Sequence, residues 1–153
     1  MTLTFRPYLP ADREACMAVF MSNTPQYFAV EEAPDFQSFL ERRPCPYFVV
    51  LQNEQVVACG GYGVDPAKNT IVLAWGMVHA DLHKQNIGSF MLVERLKAIH
   101  QEHGESVIQI DTSQYSKGFF ARHGFQETGF TENYYAPGLH RVDMELKLTA
   151  RPQ

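Results

Sequence analysis

Long apolar runs are missing from this chain of 153 residues. No stretch approaches the roughly 18 apolar residues that a membrane span needs, so a membrane is not an expected partner. The opening residues, MTLTFRPYLP, lack the basic start and apolar core of a secretory leader. Cysteine is scarce: Cys16, Cys45 and Cys59 are odd in number and widely spaced. That argues against a disulfide framework and suits reduced thiols in a cytoplasmic protein. Positive charge is in deficit as well. Thirteen Lys and Arg face seventeen Asp and Glu, giving a formal net charge of −4 and a sequence pI near 5.8. No basic face for nucleic acid is therefore expected. Gly-x-Ser-x-Gly and the phosphate-loop Gly-Lys-Ser/Thr are both missing. His79/His83 and His100/His103 stand four and three residues apart, yet neither pair has a nearby Cys or Glu to complete a ligand set. No metal is expected.

What is present suits one folded domain spanning 1–153. Hydrophobic residues make up 45% and charged residues 20%, a globular composition. Half the chain would be too short to build a core of its own. Alternation and turn residues predict strands over Thr2–Arg6, Tyr47–Gln52, Val56–Tyr62, Thr70–Val78, Ser106–Asp111 and Val142–Leu148, with one more strand before the last. Helical spacing predicts helices over Asp12–Met21, Pro34–Arg42, Ile87–His103 and Lys117–Arg122. Asp12 is placed to cap the first, and Gly104 and Gly124 to stop the last two. In Ile87–His103, Glu94, Arg95, Lys97, Gln101 and Glu102 fall mostly on the solvent side of the apolar stripe. A strand–helix–strand unit from Thr70 to Asp111 implies one parallel pair in a sheet otherwise built from hairpins. The expected fold is mixed α/β (α+β): a mostly antiparallel sheet with helices on both faces. The pair Gly60-Gly61 marks a bulge or a close approach by substrate.

One segment carries chemistry. From Trp75 to Phe90 a strand enters a short polar loop that opens directly into a long helix. The first turn of a helix offers unpaired amides and a partial positive charge. A loop of residues tolerant of left-handed backbone can aim those amides at a phosphate. Asn86 tolerates that backbone, Gly88 admits close approach, and Lys84 adds charge.

Val78–Leu92 resembles the acetyl-CoA-binding motif of the GCN5-related N-acetyltransferases, Gln/Arg-x-x-Gly-x-Gly/Ala. Gly118-Phe-Phe-Ala-Arg-His-Gly-Phe125 is similar to the family's Phe-Tyr-x-x-x-Gly-Phe. The predicted element order is also the family's. The match is imperfect: His83 stands at the Gln/Arg position, Asn86 at the first glycine, and only Gly88 matches strictly.

The resemblance implies the acyl-CoA N-acyltransferase fold, in which the fourth and fifth strands splay apart after a bulge and admit the pantetheine arm. It implies acetyl-CoA as co-substrate. Met77, Val78 and His79 would pair with the arm, and Val78 N–H would hold the oxyanion. His83, Lys84, Gln85, Asn86, Ile87, Gly88 and Ser89 would hold the pyrophosphate, with Ser113, Ser116 and Phe119 lining the opposite side. The tyrosine that protonates the departing thiolate in the family is replaced by Phe120. Tyr115 is the nearest substitute, with Tyr134 and Tyr135 as further candidates. A base is needed because an alkyl ammonium must lose a proton before it attacks. Glu32 and His79 are candidates for that role. Glu31, Glu32 and Trp75 would line an acceptor site for a primary amine of a small molecule or peptide, and an acidic rim suits a cation. Strand-to-strand dimers are common in the family, so a homodimer is a further expectation. The alternative to an N-acetyltransferase is a non-catalytic acyl-CoA-binding or sensing domain, which the loss of the acid at Phe120 keeps open.

Overall fold

The alternating and β-branched runs form seven strands in one sheet: β1 (Leu3–Pro7), β2 (Tyr47–Gln52), β3 (Gln55–Asp65), β4 (Thr70–Val78), β5 (Ser106–Thr112), β6 (Gln126–Ala136) and β7 (Leu139–Leu148). The computed structural model describes residues 2–149; Met1 and residues 150–153 of the expected domain lie outside the described residues. The strand order is β1-β2-β3-β4-β5-β7-β6, and only β4 and β5 are parallel. Partner strands move several expected ends. β1 begins at Leu3 because Leu3–Pro7 pairs with Phe48–Gln52. β3 continues past Tyr62 because Gly63 and Val64 pair with Val72 and Ile71. β7 begins at Leu139, where Ala136 and Leu139 close a hairpin over Gly138, whose φ is +79°.

Four helices cover both faces: α1 (Arg13–Ser22), α2 (Ala33–Arg42), α3 (Ile87–His103) and α4 (Lys117–Arg122). On one face, Val19 and Phe20 of α1 and Phe36, Phe39 and Leu40 of α2 pack on Tyr47, Val49, Cys59 and Met77. On the other, Leu92 and Ile99 of α3 and Phe120 of α4 pack on Tyr62, Ile71, Leu73, Ile108 and Val142. Full burial of an aromatic such as Phe20 or Phe36, both 0% exposed, is worth roughly 1.5–3 kcal/mol.

Two expectations are corrected. The Asp12 carboxylate does not cap α1. It accepts the Leu9 N–H at 2.8 Å and both guanidinium arms of Arg6, at 2.8 and 3.0 Å. It therefore pins β1 to the short turn ahead of the helix. Arg95 does not lie on a solvated face: it is 2% exposed. Helical spacing placed it beside charged neighbours, but α3 lies flat on β3 and β4, and the sheet covers that side too.

The sheet is broken where the chemistry was expected. Cys59 faces Met77 and Gly61 faces Ala74, so Gly60 alone opposes both Trp75 and Gly76. This is a β-bulge on β4. Trp75 takes φ +47°, a left-handed backbone that costs a bulky residue roughly 1–3 kcal/mol. Packing offsets the cost. The indole ring lies 5.0 Å from Phe36 and 6.1 Å from Phe28, and Tyr47 Oη donates to the Trp75 carbonyl at 2.7 Å. Gly61 is required on the partner strand, since a Cβ there would stand 2.2 Å from the Pro46 carbonyl oxygen. Beside the bulge, β4 and β5 pair only at Ile71–Ile108 and Val72–Gln109, and then diverge.

Candidate active site

The divergence leaves a wedge of about 700 Å³ between β4 and β5, floored by α3 and bordered by the α1–α2 and β5–α4 connections. Its closed end is at Val72, and Trp75, Gly76, Met77 and Val78 form one wall. Ile110, Asp111, Thr112 and Ser113 form the other.

At the open end the loop enters α3 through two left-handed residues, Lys84 (φ +69°) and Asn86 (φ +65°). Phe90 N–H donates to the Asn86 carbonyl at 3.0 Å, so the helical ladder starts there. The amides of Ile87, Gly88 and Ser89 therefore have no partner within the helix. Unpaired amides at the positive end of a 17-residue helix, with Lys84 and Arg122 also lining the wedge, fit a phosphate. Gly88 has a second reason to lack a side chain. A Cβ there would stand 3.3 Å from the Phe119 ring.

The expected cofactor residues divide into two groups. Met77, Val78, His83, Lys84, Asn86, Gly88, Ser89, Ser113, Ser116 and Phe119 all line the wedge. His79, Gln85 and Ile87 do not. Ile87 is 1% exposed in the core. The His79 ring accepts the Asp81 N–H at 3.2 Å, and its backbone N–H donates to Val57. The His83 ring is also occupied. A carbonyl only accepts, so its Nε2 carries a hydrogen and donates to the Val78 carbonyl at 2.9 Å. Asn23 Nδ2 donates to that same carbonyl at 2.9 Å and to Val19 at 2.8 Å. The end of β4 is thus tied to the end of α1.

The inner part of the wedge combines aromatic rings with two carboxylates. Glu32 ends a short turn (Val30–Glu32), and its Oε2 accepts the Ala29 N–H at 2.9 Å. Burial pushes the Glu32 carboxyl above its ordinary range, and nearby Asp111 and Asp35 push the same way. Asp111, on the opposite strand, accepts the Tyr135 hydroxyl at 2.6 Å. Phe28, Trp75 and Tyr135 complete this end. Glu31 is exposed and does not line the wedge. Tyr115 does line it, 52% exposed, with its ring 6.0 Å from Tyr27; Tyr27 in turn meets the His83 ring edge-on at 5.0 Å. Tyr134 does not line it, and lies under the Arg141 guanidinium, 4.7 Å from ring centroid to Cζ.

Sequence reasoning missed Asn23, Tyr27, Asp111 and Arg95. Each stands on an element whose partner is distant in the chain, so local spacing carried no signal. Phe120 is 7% exposed and packs edge-on against Phe119 and Phe125. A second, smaller concavity of about 270 Å³ lies between Pro7, Tyr8, Arg43 and Cys45. Among the described residues there is no cluster of three or more His, Cys, Asp or Glu able to hold a metal. No described helix is long and apolar enough to cross a membrane.

Residues 26–148 match the family model of the acetyltransferase (GNAT) domain. The chain belongs to the GNAT acetyltransferases. Solved structures share the GNAT fold along almost the whole chain. One is a protein of Desulfovibrio desulfuricans described as a GNAT acetyltransferase: TM-score 0.82, 20% identity, covering 97% of this chain and 100% of that one. The ribosomal-protein-S18-alanine N-acetyltransferase of Escherichia coli gives 0.79 at 16% identity, with 97% and 95% covered. YncA of Salmonella typhimurium, determined with acetyl-CoA, gives 0.77 at 15% identity, with 100% and 98% covered. No curated protein matches the chain in sequence. As a GNAT enzyme the protein is an acetyl-CoA-dependent N-acetyltransferase acting on an amine acceptor.

Proposed function

We propose that this GNAT enzyme acetylates a primary amine of a small molecule or peptide by direct attack within the wedge, with Glu32 as the base. The supporting observation is that Glu32, Asp111 and Trp75 line the same wedge, with Asp111 near enough to raise the Glu32 carboxyl. Two carboxylates among aromatic rings attract an ammonium. The rise of the Glu32 carboxyl above its ordinary range brings its proton affinity closer to that of a working base.

Acetyl-CoA brings the activated acyl group. The amides of Ile87, Gly88 and Ser89, with Lys84 and Arg122, hold its phosphates. The free β4 edge from Met77 to Val78 pairs with its arm, and Val78 N–H receives the developing oxyanion. Ser113, Ser116 and Phe119 line the other side. Glu32 takes the ammonium proton, nitrogen attacks the thioester carbon, and the C–S bond breaks. Phe120 has no hydroxyl to protonate the sulfur. Tyr115 borders the same space, and its hydroxyl serves as the acid. His79 stands outside the wedge, with its ring turned to Asp81 and its backbone N–H and carbonyl bonded to Val57 and Leu82. A cytoplasmic location accords with three free cysteines, two of them buried.

The test is a CoA-release screen of wild type and Glu32→Gln against polyamines, aminoglycosides, amino acids and peptide N-termini. Turnover with one cationic class, lost in Glu32→Gln, is the expected result. Equal turnover in both proteins would remove Glu32 from the mechanism.

A further inference from the structure

Acetyl transfer as described leaves one buried charge unused. Arg95 reaches from α3 to the underside of the bulge and borders the wedge. Two glycines make room for it. A Cβ at Gly76 would stand 2.8 Å from Nη2, and a Cβ at Gly60 would stand 3.1 Å from Cζ. The guanidinium is poorly satisfied. Nη1 donates to the Gly61 carbonyl at 3.2 Å, while Nε has no hydrogen-bond partner. Among the described residues, none of the salt bridges includes it. Burial lowers its pKa only to about 10, so it remains a cation at neutral pH. A cation buried without an anion is costly to keep.

Its position says which ligand atom reaches it, on the reading of the wedge as the acyl-CoA site. Phosphates at the start of α3 direct the arm toward the closed end at Val72. An acyl group that follows β4 past Val78 and Met77 comes to Gly76, where a Cβ would stand 2.8 Å from Arg95 Nη2. An acetyl methyl there makes apolar contact and leaves the charge unpaired. A carboxylate one or two carbons further along meets the planar fork, which suits it.

We propose that Arg95 tunes donor choice, and that besides acetyl-CoA the wedge takes acyl-CoA donors whose acyl chain ends in a carboxylate, of the malonyl and succinyl class. The transfer is unchanged. Amine nitrogen bonds to the thioester carbon, the C–S electron pair leaves on sulfur, and the ammonium proton goes to Glu32. The distal carboxylate takes no part in bond making.

Calorimetry on the full chain compares malonyl- with propionyl-CoA and succinyl- with butyryl-CoA, each pair differing by carboxylate against methyl. Wild type is expected to favour at least one carboxylate donor by about threefold or more. Arg95→Met should bring the ratio to about one, and Arg95→Lys should restore part of it. Ratios below about threefold in wild type that binds acetyl-CoA overturn the proposal. So does a preference that survives in Arg95→Met, which would leave Arg95 a structural pin for the bulge. If Arg95→Met does not fold, the wild-type ratios still decide. Wild type that fails to bind acetyl-CoA overturns the reading of the wedge itself, and the proposal with it.

Discussion

A carboxylate in water holds its proton too weakly to take one from an ammonium. Glu32 is altered by position: burial raises its carboxyl first, and Asp111 and Asp35 add to the effect. Glu32→Gln should lower kcat by about 10²-fold or more and leave acetyl-CoA affinity nearly unchanged. The kcat–pH profile of wild type should rise through an apparent pKa above 4.5, the ordinary glutamate value. The sign for stability is opposite. A carboxyl raised in the folded state contributes stability below its unfolded pKa and loses it as pH rises through the folded value. Glu32→Gln should therefore melt no lower than wild type at neutral pH. At the acid position, Tyr115→Phe should lower kcat by about 10²-fold or more if its hydroxyl protonates sulfur. An unchanged rate, with chemistry limiting, would assign no acid to Tyr115. Phe120→Tyr then becomes the informative variant.

Single contacts decide how the elements sit. Asp12 ties β1 to the turn before α1, and the Arg6 guanidinium beside it holds its carboxyl below the ordinary value of 3.8. Asp12→Asn should destabilise by about 1–2 kcal/mol, discounted because Arg6 is partly exposed. That stability is present above the unfolded carboxylate pKa and is lost as pH falls through the lowered folded value. Urea melts of both proteins at neutral and acid pH check it, and the difference should shrink in acid. At the start of α3, Gly88 meets Phe119 and lines the wedge where phosphates are proposed to bind. Gly88→Val should lower acetyl-CoA affinity by about tenfold or more in a folded protein, measured by calorimetry. Unchanged affinity would place the phosphates elsewhere.

Across the molecule, the sheet runs from β1–β4 into β5–β7 through two β4–β5 register pairs among the described residues, with α3 packed beneath both. A ligand seated along the gap bonds both halves. Acetyl-CoA at a hundred times its Kd should add about 2.7 kcal/mol of stability. For a chain of this size that is roughly 5–10 °C in Tm, readable by a thermal-shift assay. No shift at millimolar coenzyme would mean that the wedge is not the binding site.

Local rules act through neighbours in the chain, and they made much of this protein legible. The 3.6-residue period placed α3, the stop at Gly104 held at φ +69°, and Asn86 adopts the left-handed backbone its side chain tolerates. Gly60-Gly61 offered a bulge or a close approach, and the extra residue lies opposite the pair, at Trp75 and Gly76 of β4; the Val78–Leu92 and Gly118–Phe125 spacings pointed to the family. Long-range contacts decided the rest. Arg95 read as a solvated charge because helical spacing does not know that α3 lies flat on β3 and β4 and turns Arg95 toward Gly60 and Gly76. Asp111 read as the polar end of a strand, and only the tertiary fold brings it into one cavity with Glu32. The His79 ring, expected at the site, is drawn away by the Asp81 amide at 3.2 Å. Sequence fixes periodicity, turns and backbone tolerance, because these are properties of one to five adjacent residues. Burial of charge and the pairing of acids across a cleft depend on which distant elements meet, and that is settled only when the sheet closes around the wedge.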